Sequence, residues 1–146
     1  MEWRIVEHGS PEYDAEVDLR YRVLRAPLGL AFSSVQLAAE VSDLHLGAFE
    51  SGALIGCLVL TPISSEVVQM RQLAVEPAHQ GKGVGRFLVE TSEALAVERG
   101  FREMMLHARE SAVPFYLKLC YSVRGAPFEE VTIPHREMFK VLAPSE

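Results

Sequence analysis

The stretch VVQMRQLAVEPAHQGKGVGRFLVETSEALAVER, Val67 to Arg99 with Gly100 after it, decides how the rest of the chain is read. Val67 to Val75 suits a strand. Side chains alternate faces there, so Gln69, Arg71, Leu73 and Val75 point one way and Val68, Met70, Gln72 and Ala74 the other. A turn at Glu76-Pro77-Ala78-His79 ends the strand, since Pro77 cannot donate to a ladder. Gln80-Gly81-Lys82-Gly83-Val84-Gly85-Arg86 follows. Val84, Phe87, Leu88, Thr91 and Leu95 then fall at helical spacing, and Gly100 stands where a C-terminal cap belongs. The order is strand, glycine-rich loop, helix.

That order has a chemical meaning. The first turn of a helix carries unpaired N–H groups and the positive end of the macrodipole. Glycines before it let backbone approach an anion without Cβ atoms in the way, and Lys82 and Arg86 add positive charge. A phosphate or pyrophosphate is the natural ligand. Two familiar phosphate loops fail on spacing. In a dinucleotide fingerprint the third glycine would fall at Arg86, and in a P-loop Lys82 would be followed by Ser or Thr, not Gly83.

The pattern that fits is Q/R-x-x-G-x-G/A, as Gln80, Gly83 and Gly85. It resembles the acyl-CoA-binding motif of the GNAT superfamily of N-acetyltransferases. In that family the loop amides hold the CoA pyrophosphate and the preceding strand lends backbone groups to the pantetheine arm. The resemblance therefore implies acetyl-CoA as co-substrate, bound by Leu73, Ala74, Val75, Gln80, Gly81, Lys82, Gly83, Val84, Gly85 and Arg86.

Composition sets outer limits. At 146 residues, 49% apolar and 23% charged, the chain is expected to be one globular domain, residues 1–146. A net charge of −6 argues against general nucleic-acid binding, which needs a basic face. No apolar run is long enough to cross a bilayer, and Met1-Glu2-Trp3-Arg4 opens into a strand pattern, so a cytoplasmic protein without membrane contact is expected. Cys57 and Cys120 have no metal or redox spacing and are expected to pack as small hydrophobes. No metal is implied. Oligomeric state stays open, a homodimer included.

From the start, Trp3 to Val6 reads as a strand broken by Gly9-Ser10-Pro11. Ser10 or Asp14 could cap a helix from Tyr13 to Leu24 with Val17, Tyr21 and Leu24 on one face. Arg20, Arg22 and Arg25 gather at its end. They are either a solvated basic face or acceptor recognition by Arg22 and Arg25, the role the family's first helices often play. Ser33 caps a second short helix through Glu40. Leu44–Glu50 and Ala53–Thr61 form a hairpin around Ser51-Gly52, and the second strand, apolar almost throughout, is expected to be central. Past Gly100 come a strand at Met104–Ala108, a helix at Ser111–Leu119 capped by Ser111, and a strand pair at Val123–Val131 and His135–Leu142. The order β-α-α-β-β-β-α-β-α-β-β, a mixed and mostly antiparallel α/β sheet with helices on both faces, is also the GNAT order.

Acetyl transfer to an amine asks for a neutral amine, a polarised thioester carbonyl and a proton for the departing thiolate. Ala112-x-x-Phe115-Tyr116-x-Lys118-Leu119-Cys120-Tyr121 resembles the family's second motif, which makes Tyr116 the expected general acid. Cys120 stands where glycine is usual; if that glycine serves a positive φ, the cysteine is strained. Ile133-Pro134-His135-x-x-Met138, together with Leu106-His107-Ala108-Arg109, resembles a subgroup of small bacterial-type members. His135 is there a base, a pocket wall or a structural ring. Arg71 and Gln72 lie on the strand near which the amine should approach, and a water-relayed proton path fits better than one dedicated base. Glu98, Glu103, Glu110, Glu129 and Glu130 read as solvated surface. The expected activity is transfer of acetyl to a small-molecule or peptide amine. The alternative is a non-catalytic acyl-CoA or ligand sensor on the same fold.

Overall fold

The computed structural model describes residues 1–142. Its strands are β1 (Glu2–Val6), β2 (Leu44–Glu50), β3 (Ala53–Pro62), β4 (Val67–Val75), β5 (Glu103–Arg109), β6 (Ser122–Glu130) and β7 (Ile133–Val141). Its α-helices are α1 (Pro11–Arg20), α2 (Ser34–Ala38), α3 (Val84–Glu98) and α4 (Val113–Lys118). The expected element order holds. One seven-stranded sheet runs in the order β1-β2-β3-β4-β5-β7-β6. β4 and β5 pair in parallel, and β1–β2, β2–β3, β5–β7 and β6–β7 are antiparallel.

Local chemistry sets most boundaries. Ser10 caps α1 through its Oγ and the Tyr13 N–H, and Ser33 with Gln36 makes a full capping box on α2. Three expectations need correction. Helix α1 gives way after Arg20 to a π-turn at Tyr21–Arg25. Of the face read as Val17, Tyr21 and Leu24, Val17 and Leu24 pack partly buried on the core while Tyr21 is exposed, and the buried residues are Tyr13, Glu16, Leu19 and Arg20. Two of those buried residues are charged, and they are tolerated because they bind each other, as described below. Helix α4 starts at Val113 after a tight turn at Glu110–Ala112, so Ala112, and not Ser111, holds the cap position. Cys57 is fully buried as expected, whereas Cys120 is exposed.

The chain falls into two compact units: Met1–Thr61 with Gln72–Ser92, and Pro62–Arg71 with the chain from Glu93 onward. In the first unit, Val6, Tyr13 and Phe49 form one buried cluster and Leu19, Cys57 and Ala74 another, with Leu54 packed on both. β3 is central as read, buried from Ile55 to Leu60, each Leu or Val there worth roughly 1.5–3 kcal/mol of transfer free energy. Gly56 sets the seat of α3. A Cβ on it would lie 2.8 Å from Val84 Cγ1 and 3.0 Å from Leu88 Cδ1, so the first turns of the helix rest directly on β3. The register of β2 and β3 shifts after Ala48↔Gly56, leaving Ile55 as the extra residue of a bulge. Its carbonyl accepts the Glu76 N–H at 2.8 Å, which fixes the turn leaving β4.

In the second unit, β5 buries Met104, Leu106 and Ala108 on one face, and Leu106 pairs with Met138 of β7. The Arg102 N–H donates to the Glu66 carbonyl at 2.7 Å, and the Leu142 N–H to the Arg102 carbonyl at 2.8 Å, so the starts of β4 and β5 and the end of β7 are tied at one point.

Candidate active site

The alternation read in β4 holds on one face, where Val68, Met70 and Ala74 are buried. It breaks at Gln72, whose φ is 58°. A non-glycine residue in the left-handed region inside a strand is uncommon, and such strain clusters at functional sites. Past the turn at Pro77–His79, Gly81 and Gly83 have φ of 77° and 85°. A Cβ at either would meet nothing within 4 Å, so glycine is required there by backbone conformation and open space, not by crowding. The Gly83 carbonyl accepts the Phe87 N–H at 3.0 Å and opens α3. Gln80 Nε2 donates back to the Val75 carbonyl at 3.1 Å, which joins the end of β4 to the loop. Lys82 is exposed, and Arg86 is exposed with Glu90 3.3 Å away, a pair of little energetic weight. The loop is thus a turn of left-handed glycines facing open space, with two cations beside a helix N-terminus.

Of the arginines, Arg22 is committed. It donates from Nε to Asp18 at 2.8 Å and from Nη1 and Nη2 to Glu76 at 3.1 and 2.5 Å. To touch an acceptor it would have to give up one of these carboxylates. Arg25 lies over the Phe32 ring at 4.5 Å, and Arg71 is exposed.

Tyr116 sits in α4, a helix too short to hold itself in place. Its surroundings hold it. Lys140 Nζ donates to the Leu119 carbonyl and to Glu93 Oε1, both at 3.0 Å, and the Tyr121 hydroxyl donates to Glu93 Oε2 at 2.8 Å. The Tyr116 ring stands edge-on to Tyr121 at 5.8 Å and to Phe115 at 5.0 Å. Two neighbouring phenols therefore differ in one respect. Tyr121 is tied to a carboxylate, while the Tyr116 hydroxyl has no hydrogen-bond partner among the described residues although its side chain is buried. Burial alone pushes its pKa up to about 12.

His135 is buried on β7. Its Nδ1 donates to the Ile133 carbonyl at 2.7 Å, its Nε2 lies 3.6 Å from Glu130, and its ring stacks on Phe128 at 5.9 Å. Glu130 also meets His107 Nδ1 at 3.2 Å, and Glu103 meets Arg124 at 3.1 Å. Glu130 is exposed as read, with a histidine beside it, whereas Glu103 is half-buried and paired with Arg124. Sequence reading also missed Glu16, Glu40 and His45, which converge from distant positions with no local signal to announce it.

The model of the acetyltransferase (GNAT) family matches residues 4–120, a span that takes in both the glycine loop and Tyr116. The chain belongs to the GNAT acetyltransferase family. Among its relatives, this acetyltransferase is 25% identical over 135 residues to the uncharacterized N-acetyltransferase YitI of Bacillus subtilis, covering 88% of this chain and 91% of that one. Solved structures carry the same fold. An aminoglycoside 6'-N-acetyltransferase complexed with coenzyme A superposes with a TM-score of 0.84 at 19% identity, covering 100% of this chain and 99% of that one. A GNAT family acetyltransferase from Elizabethkingia anophelis with acetyl-CoA bound gives 0.76 at 18% identity, over 97% of each chain. Membership makes the protein an N-acetyltransferase and acyl-CoA-dependent transfer its general chemistry. Among the described residues, no helix is long and apolar enough to cross a membrane.

Proposed function

We propose that the protein transfers the acetyl group of acetyl-CoA to a primary amine of a small molecule or peptide by direct attack, with Tyr116 as general acid, both units forming one catalytic domain. The neutral amine nitrogen attacks the thioester carbonyl carbon, the C–N bond forms and the C–S bond breaks. The thiolate takes the Tyr116 proton, and the amine sheds its proton through water. Support for the co-substrate comes from the two family structures that hold CoA and acetyl-CoA. It comes also from the loop, where Gly81 and Gly83 keep backbone free of Cβ atoms and Lys82 and Arg86 supply charge. Residues 73–75 and 80–86 are the proposed cofactor contacts.

The observation that carries the reading is the Tyr116 hydroxyl, which has no hydrogen-bond partner among the described residues although the residue is buried. A phenol held near pKa 12 is fully protonated at neutral pH, so the proton is present when the thiolate leaves. A thiolate formed in surroundings that penalise charge is itself a stronger base than in water, which narrows the gap between donor and acceptor. Arg71, Arg25 and His135 remain candidate acceptor contacts, and Arg22 is one only at the expense of Glu76 or Asp18.

Thiol release from acetyl-CoA, measured against polyamines, aminoglycosides, amino acids and peptides, tests the proposal. Release that depends on one class of amine is expected. CoA binding with no release for any amine would favour the sensor reading.

A further inference from the structure

Between Tyr21 and Asp43 the chain leaves α1, turns, and returns through α2 to β2, and in that span only one residue is buried, Glu40. An acidic side chain is a costly anchor unless its socket pairs it. Here the socket is complete. Arg20 Nη1 and Nη2 donate to Glu40 Oε1 and Oε2 at 2.8 and 2.6 Å, and the Tyr13 hydroxyl donates to Oε1 at 2.8 Å. The Glu40 backbone carbonyl lies 3.0 Å from His45 Nε2, and His45 Nδ1 lies 2.8 Å from Glu16 Oε2. The start of the span is held separately, by Arg22 on Glu76 and by Val23 and Leu24 packed on the Leu19, Cys57 and Ala74 cluster. Past Arg25 the other contacts are lighter: His8 Nε2 lies 2.9 Å from the Leu37 carbonyl, and Phe32 sits under the guanidinium groups of Arg20 and Arg25. The ligand atoms of Glu16, Glu40 and His45 lie within 4.8 Å of one another, but the Arg20 guanidinium is the cation of this cluster.

His45 faces an oxygen on each side. A neutral imidazole has one N–H and one lone pair, so one oxygen would meet a lone pair. Glu16 Oε2 already accepts from Arg20 Nη1 at 2.9 Å, so the proton between it and Nδ1 belongs to the ring. Two cations, Arg20 and His45, then balance two carboxylates, Glu16 and Glu40. Burial pulls the His45 pKa down, but the hydrogen bond and charge of Glu16 outweigh it and hold the value above the usual one of 6.5. The groups around the ring are Tyr13, Glu16 and Arg20 from α1, Glu40 from the turn after α2, and His8 from the turn after β1. Tyr13 and His8 stand 5.1 and 6.3 Å from it, and the Cys57 thiol of β3 feels the charges of Glu16 and Arg20.

We propose that Ala26–Asp43 is a strap latched by Glu40 in this buried socket, and that loss of the His45 proton unlatches it. Deprotonation turns a lone pair toward an oxygen and leaves a net negative charge in a place where, beyond the fully paired Glu40 carboxylate, Glu16 Oε1 and Arg20 Nε already lack partners among the described residues. Expelling Glu40 relieves both, and no other residue from Ala26 to Asp43 is buried to resist it. The sign follows from the shifts. The His45 contribution is fully present below pH 6.5 and is lost as pH rises through its raised folded value. On the acid side, Arg20 outweighs burial and keeps the Glu40 carboxyl below its usual 4.5, so the latch survives past that point.

Amide hydrogen exchange of the full chain between pH 6 and 10, corrected for intrinsic rates, tests this. The Leu37 and Asp43 amides, bonded to Ser33 and Glu40 at 3.1 Å each, are the reporters. Their protection should fall at least tenfold across the alkaline limb while β2 and β3 keep theirs. Glu40→Gln should open the strap at every pH, and His45→Gln should remove the pH dependence. Protection of the strap that ignores pH in the unmodified protein, or that is lost only together with β2 and β3, overturns the proposal.

Discussion

Cys120 occupies a backbone position made for glycine. Helix α3 ends with the Phe101 N–H on the Ala96 carbonyl and the Gly100 N–H on that of Val97, with Gly100 at φ 89°. Helix α4 ends the same way, Tyr121 N–H to Tyr116 carbonyl and Cys120 N–H to Leu117 carbonyl, with Cys120 at φ 72°. Both are the left-handed helix stop in which C′ is usually glycine. The strain suspected from the motif is therefore present, and Cys120→Gly should raise stability by about 1 kcal/mol in denaturant unfolding, the strain relieved exceeding the entropy glycine adds to the unfolded chain. His135 is the second residue whose sequence reading was two-sided. Its ring is bonded to its own strand and stacked on Phe128. We expect His135→Ala to cost about 1–3 kcal/mol of stability and to leave the shape of the pH–rate profile unchanged. A profile flattened near neutrality would make it a base instead.

At the scale of elements, the most legible parts were those where local pattern and final structure answer to the same force. β4 runs from Val67 to Val75 as its alternation said, β2 begins and ends as read, and Ser33 caps α2. Gly100 stops α3 because no other residue takes that φ so cheaply. What could not be read was long-range charge. Glu16, Arg20, Glu40 and His45 lie 4 to 29 positions apart along the chain and look like surface residues to any periodic reading. Their burial follows from mutual pairing, which only the folded chain provides. The same blindness left Glu16 and Arg20 out of the buried face of α1. The left-handed Gln72 was invisible for a related reason, since one residue of positive φ leaves the composition of the strand unchanged. For the loop, Gly83→Val should lose CoA affinity, read as the thermal shift given by CoA, while retaining the fold. The β-branched side chain cannot adopt φ 85° without strain and would occupy the open space beside the helix N-terminus. A mutant with the wild-type CoA shift would reduce the loop to an entrance for α3.

At the scale of the molecule, the glycine loop belongs to one compact unit and Tyr116 to the other. The proposed reaction assigns acetyl-CoA binding to the loop and protonation of the departing thiolate to Tyr116. Damage to the two units should therefore separate kinetically. The loop variant should act on binding of CoA, and the phenol variant on the chemical step. Tyr116→Phe tests this most directly, because it deletes one hydroxyl that bonds to no described residue and keeps the ring against Phe115 and Tyr121. With the amine acceptor saturating and chemistry limiting, kcat should fall by roughly 10²–10⁴-fold while KM for acetyl-CoA moves little, and a more acidic thiol leaving group should restore part of the rate. A Tyr116→Phe enzyme that turns over at the wild-type rate under those conditions would contradict the account.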